Sequence, residues 1–155
     1  MEKRLDYQKA APGVIQAMYG LEKYVRSCGL EASLLELVKT RASQLNGCAF
    51  CLDMHTKDAI AHGETAQRLF ALNAWREAPF YTGRERAALA WTEAITNIQE
   101  GHASDAAYQE ALTQFSETEL VNLTLAIVTI NGWNRFAIAF RPEVGSYQPA
   151  AAAAK

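Results

Sequence analysis

What this chain lacks narrows its class first. No apolar run approaches the ~18 residues that a membrane span needs. The opening Met1-Glu2-Lys3-Arg4-Leu5-Asp6 is charged and leads into no apolar segment, so no secretory signal is expected. No basic stretch stands out and the net charge is only −2. That argues against nucleic acid as the main partner. No stretch of useful length alternates apolar and polar residues, so strands are not expected and the fold class is all-α. Cysteine is scarce, at three residues. The expected setting is cytoplasmic, where structural disulfides are rare. A close cysteine pair there reads as catalytic or metal-binding.

What is present suits one helical domain. The 155 residues are half apolar, enough to bury a core. We expect a single domain over 1–147 and a low-complexity tail, 148–155, that is disordered. A first helix is expected from Pro12, with Val14, Ala17, Met18, Leu21 and Val25 on its covered stripe and Gly29 as its stop. A second runs from about Glu31 to Leu45, and Asn46-Gly47 ends it. A third starts at about Cys48 and closes at His62-Gly63. A short fourth covers Glu64 to Asn73. Thr82 to Glu85 and Ser116 to Glu119 have capping-box spacing. The first opens a helix through Ile95, and the second opens the longest one, roughly 117–140. Ser104 or Asp105 caps a helix between them.

The stretch Asn46-Gly47-Cys48-Ala49-Phe50-Cys51-Leu52-Asp53-Met54-His55 carries the chemistry. On a helix, positions 48, 51, 52 and 55 share a face. Two thiols and an imidazole then meet near a helix start, where unpaired N–H groups and the macrodipole favour a thiolate. The preceding helix holds Glu36. If the chain folds back at Asn46-Gly47, Glu36 comes near the mouth of the third helix. Three readings stay open from the residues alone. The cysteines are a redox dithiol, or two small buried hydrophobes, or zinc ligands together with His55 and Glu36. A c-type haem site is excluded by Leu52 after the second cysteine.

The full pattern, Glu36-x11-Cys48-x2-Cys51-x3-His55, resembles the active-site pattern of the alkylhydroperoxidase D-like (AhpD-like) family, within the carboxymuconolactone decarboxylase superfamily. Lys39 to Cys48, Ala90 to Ala94 and Asn131 to Arg135 also look like that family. The resemblance implies a compact multi-helix fold with the dithiol at the start of a central helix. It implies a peroxidase acting on hydrogen peroxide or organic hydroperoxides, without cofactor or metal. Cys51 would attack the peroxide, Cys48 would resolve the sulfenic acid, and His55 and Glu36 would relay protons. It also implies an unidentified thiol or dithiol reductant and a homo-oligomer, trimeric or hexameric. One position departs from the pattern: the best-known members carry a second histidine where Phe50 stands. Phe50 cannot relay a proton, but it can line an apolar approach. The superfamily's decarboxylases generally lack the dithiol, which disfavours that activity here. The alternatives are a disulfide reductase serving a partner protein, or a non-catalytic oligomer that senses redox state or binds metal.

Other residues read as structural. Cys28 is expected to be a spectator thiol and His62 a helix-end partner. His102 is expected in solvent. The last helix is apolar nearly all round, which points to burial, including against a second subunit. Asn131, Asn134 and Arg135 then need partners. They either bond between helices or subunits, or frame the pocket. Trp91 and Glu93 read as core, with a place near the site as the sharper option.

Overall fold

The structure, a computed structural model, describes residues 2–149, and all of its regular elements are helical. Residues 150–155, most of the tail expected to be disordered, lie outside the described residues. The helices are α1 (Tyr7–Ala10), α2 (Pro12–Ser27), α3 (Ala32–Asn46), α4 (Ala49–Ala61), α5 (Ala66–Ala71), α6 (Gly83–Thr96), α7 (Asp105–Leu112) and α8 (Glu117–Phe140). Single 3-10 turns follow α5 and α6.

Local chemistry sets most boundaries where the sequence placed them. Pro12 opens α2, where a missing N–H costs nothing. Thr82 with Glu85 and Ser116 with Glu119 form complete reciprocal capping boxes. Ser104, rather than Asp105, caps α7. α1 was not foreseen: four residues are too few for a periodic signal. Asp6 caps it, and Tyr7 stacks on Phe136 with ring centroids 5.6 Å apart.

α3 is the central element, packed against α4, α6 and α8. Leu34, Leu35 and Val38 face a core shared with Trp91, Leu123 and Ile127. Leu37 faces a second core with Leu72, Trp75 and Leu89. A helix covered on both sides has little room for polar residues, yet α3 also buries Lys39, Thr40 and Ser43. Lys39 is answered by acidic side chains and Ser43 by Asn134, which ties this helix to the site described below.

Two expectations need correction. On α2 the covered face is Ile15, Met18, Glu22 and Val25, while Val14, Ala17 and Leu21 point outward. The apolar stripe of α2 is wider than the face its neighbours cover, so periodicity alone misplaced it. The last helix, α8, contains no uninterrupted apolar run near ~18 residues. By length and composition, however, it is long and apolar enough to cross a membrane. In this fold it packs against α2, α3 and α6, with Val121, Val128 and Ile138 left exposed.

Candidate active site

The site is built on the turn between α3 and α4. Gly47 takes a left-handed backbone, with φ +67°, a conformation that costs other residues about 1–2 kcal/mol. The backbone N–H of Cys48 then donates to Ser43 O at 3.0 Å, and the chain reverses. Asn46 pins this turn to α8 by donating to the side-chain oxygens of Asn131 (2.9 Å) and Asn134 (2.8 Å). Asn134 in turn donates to Ser43 Oγ at 3.1 Å, and Asn131 to Thr96 Oγ1 at 3.0 Å. The asparagines therefore bond between helices. Trp133 and Ala137 of the same helix instead line a cavity that Cys51 and His55 also border.

Cys48 is the N-cap of α4, and its sulfur accepts the Cys51 N–H at 3.3 Å. Cys48 and Cys51 are joined as a disulfide, with Cα atoms 5.4 Å apart. Both residues are buried. His55 follows one turn after Cys51, and its Nδ1 lies 2.9 Å from Glu36 Oε2. The reversal at Gly47 thus brings together all four residues of the pattern, Glu36, Cys48, Cys51 and His55.

The surroundings of Glu36 were not read from the sequence. Lys39 is 2% exposed. Its Nζ lies 2.6 Å from Glu22 Oε1 and 3.7 Å from Glu36 Oε1. Arg26 also reaches Glu22, at 3.2 Å. Burial pushes the Glu36 carboxyl up, but the His55 hydrogen bond and the His55 and Lys39 charges outweigh it, so its pKa lies below the ordinary value. Glu22 behaves likewise: burial raises it, and Lys39 more than compensates. Glu36 is therefore an ionised acceptor for the imidazole.

Past α8 the chain returns across α4. Lys57 Nζ donates to the carbonyls of Gly145 (3.3 Å) and Tyr147 (3.0 Å). The Tyr147 hydroxyl donates to Asp58 Oδ1 at 2.8 Å. Burial and the neighbouring Asp58 push this phenol up to about 12. Tyr147 lines a cavity of about 350 Å³ that also holds Cys51, His55, Phe50, Met54 and Trp133 in its wall. A second cavity, about 640 Å³, has Cys48 in its wall, with Gly47, Phe50, Ile138, Arg141 and Val144 around it. Phe50 lines both.

The zinc alternative drew on both cysteines, His55 and Glu36. Among the described residues, the ligand-type atoms that converge belong instead to Glu36, His55 and Asp58, within 4.8 Å of one another. Each already has a partner in Lys39, Glu36 or Tyr147. Glu93 does not border the dithiol: it pairs with Arg41 and Arg76 and accepts from Trp75 Nε1 at 2.7 Å. His62 ends α4, with Nδ1 2.8 Å from Asp58 O, and His102 is exposed. Cys28 is a free, half-buried thiol.

A buried dithiol at a helix start, served by an imidazole–carboxylate pair on an all-α frame, defines an AhpD-like protein. The sequence profile of the carboxymuconolactone decarboxylase family matches residues 12–94, and the chain belongs to that family. The uncharacterised protein YdfG of Bacillus subtilis (strain 168) is 43% identical over 139 residues, 90% of this chain and 95% of that one. The crystal structure of ATU0492 from Agrobacterium tumefaciens is 44% identical, with a TM-score of 0.91, covering 94% of this chain and all of that one. ATU0492 is a protein of unknown function, offered as a candidate antioxidant-defence AhpD. The debrominase Bmp8 shares the fold alone, at 21% identity and TM-score 0.80 over 90% of this chain and 75% of its own.

Proposed function

We infer that this protein is a dithiol peroxidase that reduces hydrogen peroxide or organic hydroperoxides in antioxidant defence. The observation that carries the reading is the shared wall: Cys51 and His55 border one cavity, and His55 is paired to Glu36 at 2.9 Å. In the reduced protein the Cys51 thiolate attacks the distal peroxide oxygen. The O–O bond breaks, water or an alcohol leaves with a proton, and Cys51 becomes a sulfenic acid. The Cys48 thiolate attacks that sulfur, water leaves, and the disulfide seen here forms. His55 accepts and returns the protons, and Glu36 holds the imidazole in place. A thiol or dithiol reductant then restores both thiols, two electrons per peroxide. A cytoplasmic setting and a homo-oligomer, trimer or hexamer, belong to the same proposal.

Phe50 favours a second reading. With no histidine between the cysteines, one proton path of the best-known peroxidases is missing, and a disulfide reductase that serves a partner protein needs less proton traffic. A peroxide-consumption assay with excess dithiol separates the two. The peroxidase reading expects turnover in wild type and none in Cys51→Ser, while Cys48→Ser still gives a trappable sulfenic acid on Cys51. Wild-type consumption no faster than that of Cys51→Ser would reject it.

A further inference from the structure

The two sulfurs of the disulfide belong to different cavities. Cys51 borders the smaller one with His55 and Tyr147, and Cys48 borders the larger one with Ile138, Arg141 and Val144. Phe50 and Ala137 stand in both walls, so the disulfide lies between the two spaces. The C-terminal segment is divided the same way, with residues 141–144 on the Cys48 side and Tyr147 on the Cys51 side. Building on the dithiol reading above, we propose that the two half-reactions use separate sides: the oxidant reaches Cys51 through the smaller cavity, and a small-molecule thiol reductant binds in the larger cavity and attacks Cys48.

The larger space has the size of a small-molecule site. Its wall combines the apolar Phe50, Ile138 and Val144 with two cations, Lys3 and Arg141, against one carboxylate, Glu143, which leaves it net positive. That suits a thiolate, the attacking form of any thiol reductant. The reductant thiolate attacks Cys48 Sγ, and the Cys48–Cys51 bond breaks with its electron pair on Cys51 Sγ. A mixed disulfide between Cys48 and the reductant results. A second thiol, on the same molecule or another, attacks the reductant's sulfur and releases Cys48 as thiolate. The reductant loses two electrons and the protein gains two. The two protons of the reductant thiols end on Cys48, on Cys51 or in solvent. Attack at Cys48 is also the better direction chemically. The departing sulfur is then Cys51, which shares its cavity with His55, and a thiolate that an imidazole can stabilise or protonate leaves faster.

Two measurements on the oxidised full-length protein test this, and neither needs peroxide turnover, so failure of the peroxidase reading leaves both intact. In the first, 2-mercaptoethanol is added, the mixture is quenched with iodoacetamide, and the peptide holding both cysteines is sequenced by tandem mass spectrometry. The expected species carries mercaptoethanol on Cys48 and carbamidomethyl on Cys51; an adduct mainly on Cys51 would overturn the proposal. The second follows disulfide reduction by dithiothreitol in two variants of exposed positions, Ile138→Trp in the larger cavity and Gln8→Trp in the smaller one. Misplacing a reactant by an ångström is enough to cost large factors, so Ile138→Trp should slow reduction about tenfold or more while Gln8→Trp stays within about twofold. No slowing in Ile138→Trp, or greater slowing in Gln8→Trp, would also overturn it.

Discussion

Glu22, Lys39, Glu36 and His55 form a line of alternating partners that ends beside Cys51. Removing water from two carboxylates and an ammonium is costly, and only close pairing offsets it. Both carboxyls are held below their ordinary value of 4.5. The unfolded chain therefore binds protons first as pH falls. The stability these groups contribute is present above pH 4.5 and is lost as pH drops through their folded values. Glu22→Gln should be less stable than wild type at neutral pH and should lose less between about pH 5 and about pH 3. Thermal unfolding across that range checks it, and parallel curves would remove Glu22 from the account. At this scale the sequence showed its motif but not the support behind it. Glu36 and His55 were legible because they complete a pattern with the cysteines. Lys39 was not, because a lysine on a helix normally reaches solvent, and its i, i+3 spacing from Glu36 is common on any helix surface. Tyr147 was not, because nothing local says that a loop after α8 returns across α4.

At the scale of the element, the site depends on where helices start and stop. Gly47 ends α3 and lets Cys48 begin α4. The capping box at Ser116 starts α8, the helix that carries Asn134 and Trp133 to the site. Ser116→Ala removes the acceptor of the Glu119 N–H and should cost about 0.5–2 kcal/mol. Chemical denaturation measures that loss, and Ser116→Asp, which keeps a capping oxygen, should recover most of it. An unchanged midpoint in Ser116→Ala would mean that α8 starts independently of its cap. Helix ends were the most legible part of this chain, since Pro12, Gly29, Gly47 and the two capping boxes act through their immediate neighbours. Faces were less legible. Val14 and Leu21 fit a helical stripe as well as Ile15 and Val25 do, and only packing decides which pair is covered.

The whole molecule leaves apolar surface uncovered on two helices that pack together. Val14 and Leu21 on α2 are 45% and 37% exposed, and Val121 and Val128 on α8 are 69% and 51% exposed. Each pair is spaced by seven residues, so each lies along one side of its helix. Apolar rows of this kind mark association surfaces, and we expect them to meet in a homo-oligomer. Light scattering at micromolar concentration should give a multiple of the 17.1 kDa chain mass, and Val121→Glu with Val128→Glu should lower it. A wild-type monomer would contradict the expectation. The helical class of the molecule was legible from the missing strand pattern. The two cavities were not, because the larger joins the α3–α4 turn to α8 and the segment after it, and the smaller joins α1, α2, α4, α8 and Tyr147, all far apart in sequence.

The central claim is that His55, held by Glu36, activates Cys51. The most direct measurement is the rate of Cys51 alkylation against pH in reduced protein, for wild type, Glu36→Gln and His55→Ala, each in a Cys28→Ser, Cys48→Ser background. The account predicts that both substitutions shift the profile to higher pH and slow alkylation at neutral pH. Peroxide consumption, where the protons must also move, should fall by about 10²–10⁴ in the corresponding variants that keep Cys48. Three coincident alkylation profiles would contradict it: the thiol would then owe nothing to the imidazole or the carboxylate beside it.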